Sequence, residues 1–170
     1  MDDVVHAFFR AAFDRAAPTP IVQGFVAAFI AEWSRGIRYY AGIHRFLSEL
    51  AKDYRLSILS NTHYPALIHD HLARMEITPY FTHIVTSVEC GWRKPHPCIF
   101  QQALANLAIT ANDALYIGDT YIDDYEGSQA AGIRAILIDP YDQHPDVVDR
   151  ISSLFALKNM LGAEGRELGQ

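Results

Sequence analysis

The 170-residue chain is long enough for one compact domain, or for one core with a small accessory subdomain. Half of its residues are hydrophobic and 12% are aromatic, which favours a packed core over disorder. Its formal net charge of −6, without any basic run, argues against a nucleic-acid partner. No apolar run reaches the ~20 residues of a membrane span. The acidic N-terminus is unlike a signal peptide, so we expect a cytoplasmic protein with two reduced cysteines.

The first forty residues predict two helices and no strand. Apolar residues recur at helical spacing from Val4 to Phe13, and a second apolar stripe runs from Ile21 to Trp33. Thr19 is the expected N-cap of the second helix, with Pro20 at its first position. We therefore predict a helical subdomain over 1–40 and an α/β core over 41–170. The aromatic residues of this region are expected in the core rather than in a pocket: Phe25, Phe29, Trp33, Tyr39 and Tyr40.

From Gly42 onward, helical patterns alternate with short apolar runs. The runs predict strands ending at Ser60 and spanning 83–87, 114–118 and 134–138. Helices are predicted over 43–53, 64–75, 97–108, 122–131 and 145–161. This alternation predicts an α/β fold with a Rossmann-like parallel sheet and helices on both faces. Ligands of such folds bind beyond the carboxyl ends of the strands, where the residues that carry chemistry are expected.

Two of these strand ends carry groups suited to binding an anion. Ser60 and Asn61 follow the first strand, and a hydroxyl and an amide there can hydrogen-bond a phosphate or begin a turn. Lys94 follows the second strand between Arg93 and Pro95, in a loop stiffened by proline. A lysine held in that way can neutralise a phosphate or a carboxylate.

Three carboxylates follow the third strand in the segment GDTYIDD. Asp119 comes directly after the strand, and Asp123 and Asp124 open the next helix. Such acids repel one another unless a cation lies among them, and Mg²⁺ prefers carboxylate and water oxygens. The alternative is that Asp123 and Asp124 only stabilise the helix N-terminus. Because Asp119 precedes the helix, we favour a Mg²⁺ site, and the scattered histidines do not favour zinc.

Taken in order, Ser60, Lys94 and GDTYIDD resemble the second, third and fourth motifs of the haloacid dehalogenase-like (HAD) hydrolase superfamily. The phrases KPHP-x-IF and GSQAAG resemble its C1-capped, phosphatase-type members, and the first forty residues resemble most of a C1 cap. The resemblance implies catalytic roles for Ser60 and Lys94, with Ser60, Asn61 and Lys94 binding phosphate. It also implies that Asp119 and Asp124 hold Mg²⁺ directly or through water, with Asp123 just outside the ligands.

The resemblance lacks one component, because members of this superfamily begin with a strand that ends in Asp-x-Asp. No Asp-x-Asp pair occurs in these 170 residues, so no nucleophile is assigned. The resemblance implies a Mg²⁺-dependent phosphatase of a small phosphorylated metabolite, acting through an aspartyl-phosphate, and a truncated, inactive chain here. The alternatives are a non-catalytic binding or regulatory protein and one half of a two-chain enzyme. The expected protein partner is a second copy of the chain or a chain that donates a strand. The identity of the substrate stays open.

Overall fold

The computed structural model describes residues 2–161, which begin with a pair of packed helices. Helix α1 (Asp2–Phe13) and helix α2 (Thr19–Gly36) bury Val5, Ala17 and Val22 between them. The predicted cap at Thr19 is wrong, because Pro18 holds the N-cap position and Thr19 lies in the first helical turn. Pro18 is extended and supplies no side-chain cap. No helix of the described part of the chain is both long and apolar enough to cross a membrane.

The aromatic residues predicted to lie in the core are exposed. Their fractional exposures range from 41% for Phe29 to 71% for Tyr40. Helix α1 covers only part of the apolar stripe of α2, since Val22 is the residue of α2 that becomes buried against α1. Phe29 and Trp33 pack against each other, with ring centroids 5.9 Å apart, on the uncovered side. The prediction was therefore wrong for all five residues: Phe25, Phe29, Trp33, Tyr39 and Tyr40.

The rest of the chain alternates helices with short parallel strands, and this confirms the α/β fold class. The strands are β1 (Leu56–Ser60), β2 (Phe81–Thr86), β3 (Leu115–Gly118), β4 (Arg134–Ile138) and β5 (Arg150–Ile151). The helices are α3 (Ile43–Leu50), α4 (Pro65–Arg74), α5 (Ser87–Cys90), α6 (Pro97–Leu107) and α7 (Gly127–Ala130). A π-helical turn, Tyr121–Glu126, leads directly into α7. The predicted helix over 122–131 is thus divided between two helical geometries.

The predicted last helix over 145–161 is wrong in its first half. Residues 150–151 form β5, a 3₁₀ turn follows at Leu154–Ala156, and helix is confined to 157–161. Backbone pairing outweighs the helical pattern here: the Leu137 N–H donates to Asp149 O at 2.9 Å and the Asp139 N–H to Ile151 O at 2.8 Å. The segment therefore extends the sheet before it turns into a helix.

The strands form two parallel groups rather than one continuous sheet. Strand β1 pairs with β2, and β4 pairs with both β3 and β5. Within residues 2–161 no strand joins β1 to β3. Consecutive strand residues face opposite sides, so Ile58 and Ile84 pack with Ile136 on one face while Leu59 and Val85 pack on the other.

Helices cover both of these faces. Phe46 of α3 and Leu72 of α4 lie on the Ile136 side, and Phe100 of α6 lies on the opposite side. Because the strands of each group run parallel, their carboxyl ends share an edge, and the loops that follow Ser60, Thr86 and Gly118 are brought together there.

Candidate active site

A buried ion pair lies at this edge and joins two of the predicted site residues. The Lys94 Nζ donates to Asp124 Oδ1 at 2.6 Å. It also donates to the Tyr116 hydroxyl at 3.1 Å and to the Leu59 carbonyl oxygen at 3.3 Å. Lys94 is 8% exposed and Asp124 is 3% exposed. Lys94 thereby connects the ends of β1 and β3, which no strand pairing connects among the described residues.

Asn61 holds the backbone of Lys94 in place. The Lys94 N–H donates to Asn61 Oδ1 at 2.8 Å, and Asn61 Nδ2 donates back to the Lys94 carbonyl oxygen at 3.0 Å. The Lys94–Pro95 peptide bond is cis. The side chain of Asn61 thus fixes the loop after β2 to the end of β1. This contact orients Lys94, while the predicted binding of phosphate by Asn61 stays a prediction.

The π-helical turn fixes Asp124. Its Oδ2 accepts from the Thr120 N–H at 3.0 Å, and its backbone oxygen accepts from Ser128 Oγ at 2.6 Å. A Cβ added at Gly118 would lie 2.4 Å from the Asp124 Cβ, so glycine is required where the turn crosses the end of β3. Because Gly118 has no side chain, the Asp124 carboxylate in the π-helical turn can lie directly against the end of β3.

The surroundings of Asp124 favour its ionised form. Burial by itself raises the pKa of this carboxyl, but the hydrogen bond and charge of Lys94 lower it, as do bonds from Tyr116 and the Thr120 N–H. The net pKa of Asp124 is below its ordinary value. Burial, followed by the negative charge of Asp124, raises the pKa of Tyr116 strongly, so this phenol stays protonated and donates to Asp124 Oδ1 at 2.9 Å.

The other predicted residues surround this pair without bonding to Lys94. Ser60 is the last residue of β1 and is half-buried, and Asp119 is exposed directly after β3. Asp123 Oδ2 accepts from Asn61 Nδ2 at 3.2 Å and lies 3.9 Å from an Arg93 guanidinium nitrogen. The structure therefore brings Lys94, Asn61, Asp123 and Asp124 into one network, with Ser60 and Asp119 on the same sheet edge.

The chemistry of these donors suits a magnesium ion that is only partly enclosed by protein. Within residues 2–161, no three histidine, cysteine, aspartate or glutamate side chains are grouped to hold a metal. Mg²⁺ commonly takes one or two carboxylates and completes its octahedron with water and phosphate oxygens. Asp119 offers an exposed carboxylate five residues before the buried Asp124, whose oxygens also accept from Lys94 Nζ and the Thr120 N–H. The residues present fit an open Mg²⁺ site.

Sequence reasoning missed Tyr116 and Arg93. Tyr116 lies within β3, and its hydroxyl contacts both Lys94 and Asp124. These contacts depend on the three-dimensional arrangement of the strand and the two segments that carry these residues. Arg93 is adjacent to Lys94 in sequence, but its approach to Asp123 depends on the fold of two loops. The alternation of strand residues could have placed Tyr116 on the opposite face from Ile117.

Comparison of the sequence with known protein families identifies the family of the chain. A family model described as haloacid dehalogenase-like hydrolase matches residues 4–138. The chain belongs to this family. A mouse haloacid dehalogenase-like hydrolase domain-containing protein 3 is 30% identical over 139 residues, which are 81% of this chain and 54% of that protein. A glyceraldehyde 3-phosphate phosphatase from Pyrococcus abyssi is 32% identical over 101 residues, 59% of this chain and 42% of that enzyme.

Solved structures agree on the fold. A putative HAD hydrolase from Bacillus subtilis, described as bound to magnesium, has a TM-score of 0.74 at 23% identity, covering 95% of this chain and 72% of that one. At 23% sequence identity, this similarity shows a shared fold and nothing about activity. The chain spans 54% and 42% of the mouse and archaeal relatives, so the activity of a whole relative is not thereby shown for it.

Proposed function

We propose that this chain forms the phosphate-binding and magnesium-binding part of a cytoplasmic phosphatase that acts on a small phosphorylated metabolite. The observation that carries the proposal is the buried Lys94–Asp124 pair at the carboxyl edge of the strands. The pair shares this edge with Asp119, which follows β3, and with Asp123, which accepts from Asn61 Nδ2. The similarity to an archaeal phosphatase supports this choice within the hydrolase family.

In this proposal each residue has a distinct task. Lys94 offsets negative charge on the phosphoryl group, and Ser60 donates a hydrogen bond to one of its oxygens. Asn61 donates to a phosphate oxygen by exchanging one of the bonds that its amide protons make to the Lys94 carbonyl oxygen and to Asp123. Asp119 and Asp124 hold Mg²⁺ directly or through water, and Asp123 orients the surrounding groups. Mg²⁺, when bound, offsets the charge of the transferring phosphoryl group. Tyr116 and the Thr120 N–H keep the Asp124 carboxylate oriented.

The family resemblance implies that the attacking group is the first carboxylate of an Asp-x-Asp segment, and no such segment occurs within residues 1–170. An oxygen of this carboxylate bonds to phosphorus while the ester P–O bond breaks, and the departing alkoxide takes a proton from water to leave as the alcohol. Water then attacks the acyl phosphate, which releases inorganic phosphate and restores the carboxylate. We therefore expect the 170-residue chain to have little or no phosphatase activity, since losing a nucleophile removes several orders of magnitude of rate.

Two measurements on the same purified chain test this proposal. The first is hydrolysis of p-nitrophenyl phosphate with Mg²⁺, where we expect negligible turnover. The second is binding of inorganic phosphate by calorimetry, with and without Mg²⁺, where we expect weak binding that Mg²⁺ strengthens. Asp119→Asn should remove the Mg²⁺ effect, and because Asp119 is exposed this variant should fold. Rapid turnover that Asp119→Asn abolishes would reveal an unassigned nucleophile, and phosphate binding indifferent to both Mg²⁺ and Asp119 would contradict the proposed site.

A non-catalytic binding or regulatory protein is the second candidate. The contacts of Lys94 favour it, because Asp124, Tyr116 and the Leu59 carbonyl already accept from all three ammonium protons. A protein of this kind would bind phosphate without Mg²⁺-dependent chemistry. Phosphate binding that persists unchanged in Asp119→Asn would favour this candidate over the phosphatase.

A further inference from the structure

Arg93 is a cation at this edge of the sheet to which the proposed chemistry gives no task. Its side chain is 69% exposed, and one guanidinium nitrogen lies 3.9 Å from Asp123 Oδ2. The same carboxylate oxygen accepts from Asn61 Nδ2 at 3.2 Å. At 3.9 Å the contact with Asp123 is too long for a hydrogen bond, and the guanidinium donates to no other group within residues 2–161. Its N–H donors are therefore available to a ligand.

The backbone that carries this side chain is held in place. The Arg93 carbonyl oxygen accepts from the His96 N–H at 2.9 Å, which closes a tight turn. The rings of Trp92 and His96 stack across this turn, with centroids 3.8 Å apart and planes 19° apart. His96 is itself fixed, because its Nδ1 accepts from the Cys98 N–H at the start of α6. The guanidinium is thus uncommitted, while the position of its backbone is set before any ligand binds.

We propose that Arg93 binds a carboxylate of the substrate, so that the site selects small phosphorylated carboxylic acids. This inference rests on the proposed function, because it names the substrate class of the same site. The ammonium group of Lys94 is buried, whereas the Arg93 guanidinium is exposed next to Asp123. A small substrate with its phosphoryl group at the strand edge extends toward solvent and meets Arg93 there. The planar guanidinium can donate two parallel hydrogen bonds to a carboxylate.

A carboxylate fits this position better than a second phosphate group. Asp119, Asp123 and Asp124 already concentrate negative charge at this edge of the sheet. A carboxylate adds a single negative charge, which one guanidinium balances, whereas a phosphate monoester adds about 1.5–2 negative charges. The excess would repel the Asp123 carboxylate, which lies next to the same guanidinium. Arg93 therefore favours an acid with one carboxylate over a bisphosphate.

Two ligands that differ at one end provide the test. 3-Phosphoglycerate and glycerol 3-phosphate are phosphate esters of the same length, with a carboxylate in the first where the second has a hydroxymethyl group. Titration calorimetry measures the binding of each to the full 170-residue chain with Mg²⁺. Because we expect little or no turnover, both ligands stay intact during the titration. We expect 3-phosphoglycerate to bind about tenfold more tightly than glycerol 3-phosphate.

Variants of Arg93 separate its shape from its charge. Arg93→Gln should remove the tenfold preference, and it should weaken glycerol 3-phosphate binding by no more than about twofold, since exposed charges are screened. Arg93→Lys keeps the charge without the planar fork and should recover only part of the preference. Arg45→Gln is the matched control, because that exposed guanidinium donates to Glu49 on α3. It should bind both ligands as wild type does.

The outcomes separate this inference from the proposed function. Glycerol 3-phosphate binding that depends on Mg²⁺ and Asp119, with no tighter binding of 3-phosphoglycerate, would overturn the role of Arg93 and leave the phosphate site standing. A preference for 3-phosphoglycerate that survives in Arg93→Gln would assign the carboxylate to another group and overturn the inference. Tighter binding of 1,3-propanediol bisphosphate than of 3-phosphoglycerate would overturn the choice of a carboxylate. Binding of neither phosphate ester would overturn the proposed function and this inference together.

Discussion

The ammonium nitrogen of Lys94 and the Asp124 carboxylate lie 2.6 Å apart, although Lys94 lies in a loop after β2 and Asp124 lies in the π-helical turn after β3. Bringing two charges out of water costs several kcal/mol per ion, and their attraction repays this only with good geometry and further hydrogen bonds. Tyr116 and the Thr120 N–H supply such bonds to Asp124. The pair is therefore better explained by the functional site that it orients than by stability alone.

Removing one member of this pair should be costly. Lys94→Met leaves the Asp124 carboxylate buried without its cation, and we expect a loss of about 3–5 kcal/mol in the free energy of unfolding. Arg93→Met is the matched control, because that exposed cation lies 3.9 Å from Asp123 and should cost at most about 1 kcal/mol. Urea denaturation at pH 7 measures both. Equal stabilities of the two variants would show that Lys94 is not the buried partner of Asp124.

The contact between Gly118 and Asp124 predicts the effect of a single methyl group. Gly118→Ala would place a Cβ 2.4 Å from the Asp124 Cβ, so the turn or the strand must shift. We expect lower stability and a loss of any Mg²⁺ response. Gly24→Ala is the control, since a Cβ there meets nothing within 4 Å and alanine in a helix gains about 0.5–1 kcal/mol over glycine. A Gly118→Ala variant as stable as wild type would contradict the close approach.

The sequence was sufficient for those features that depend on local pattern. Strands ending at Ser60 and Gly118 were predicted because short apolar runs stand between amphipathic helices. The positions of Lys94 and Asp124 after strand ends followed from that same alternation. Their presence at one edge of the sheet was expected, because parallel strands share that edge, but the ion pair between them was not predicted.

Features that depend on packing partners could not be predicted. The apolar stripe that contains Phe29 and Trp33 was predicted to lie in the core. Whether another element covers such a stripe depends on the tertiary structure, and α1 covers only the side with Val22. Near Ile151 the sequence has a helical pattern, but the backbone pairs with β4 and forms a strand. The spacing of apolar residues carries no information about this pairing. The bonds of Tyr116 to Lys94 and Asp124 depend on strand register and on the π-helical turn.

A buried acid outside the site predicts the pH dependence of stability. Hydrogen bonds from the Gln143 and His144 N–H groups, together with the charge of Arg150, lower the pKa of Asp139 below its ordinary value. An acid whose pKa is lower in the folded state stabilises the fold above its unfolded pKa of about 3.9. That contribution is lost as the pH falls through the lower folded pKa.

Asp139→Asn should therefore be less stable than wild type at pH 7, and the difference should shrink as the pH falls below about 4. Urea denaturation at several pH values between 3 and 7 measures this convergence. Asp53→Asn is the control, because Asp53 is an exposed acid away from Arg150, whose ion pairs are with Asp139 and Asp142. A stability difference that is independent of pH would show that the Asp139 charge is not responsible.

The response of thermal stability to magnesium tests the proposed site most directly. A ligand that binds the folded state raises the melting temperature, and two carboxylates without a third protein ligand should bind Mg²⁺ weakly. We expect a small rise at millimolar Mg²⁺ in the wild-type chain and in Asp70→Asn, where an exposed acid far along the chain is changed. Asp119→Asn should abolish the rise. If wild type and Asp119→Asn respond identically across the titration, the acids after β3 are turn and cap residues and the magnesium site is refuted.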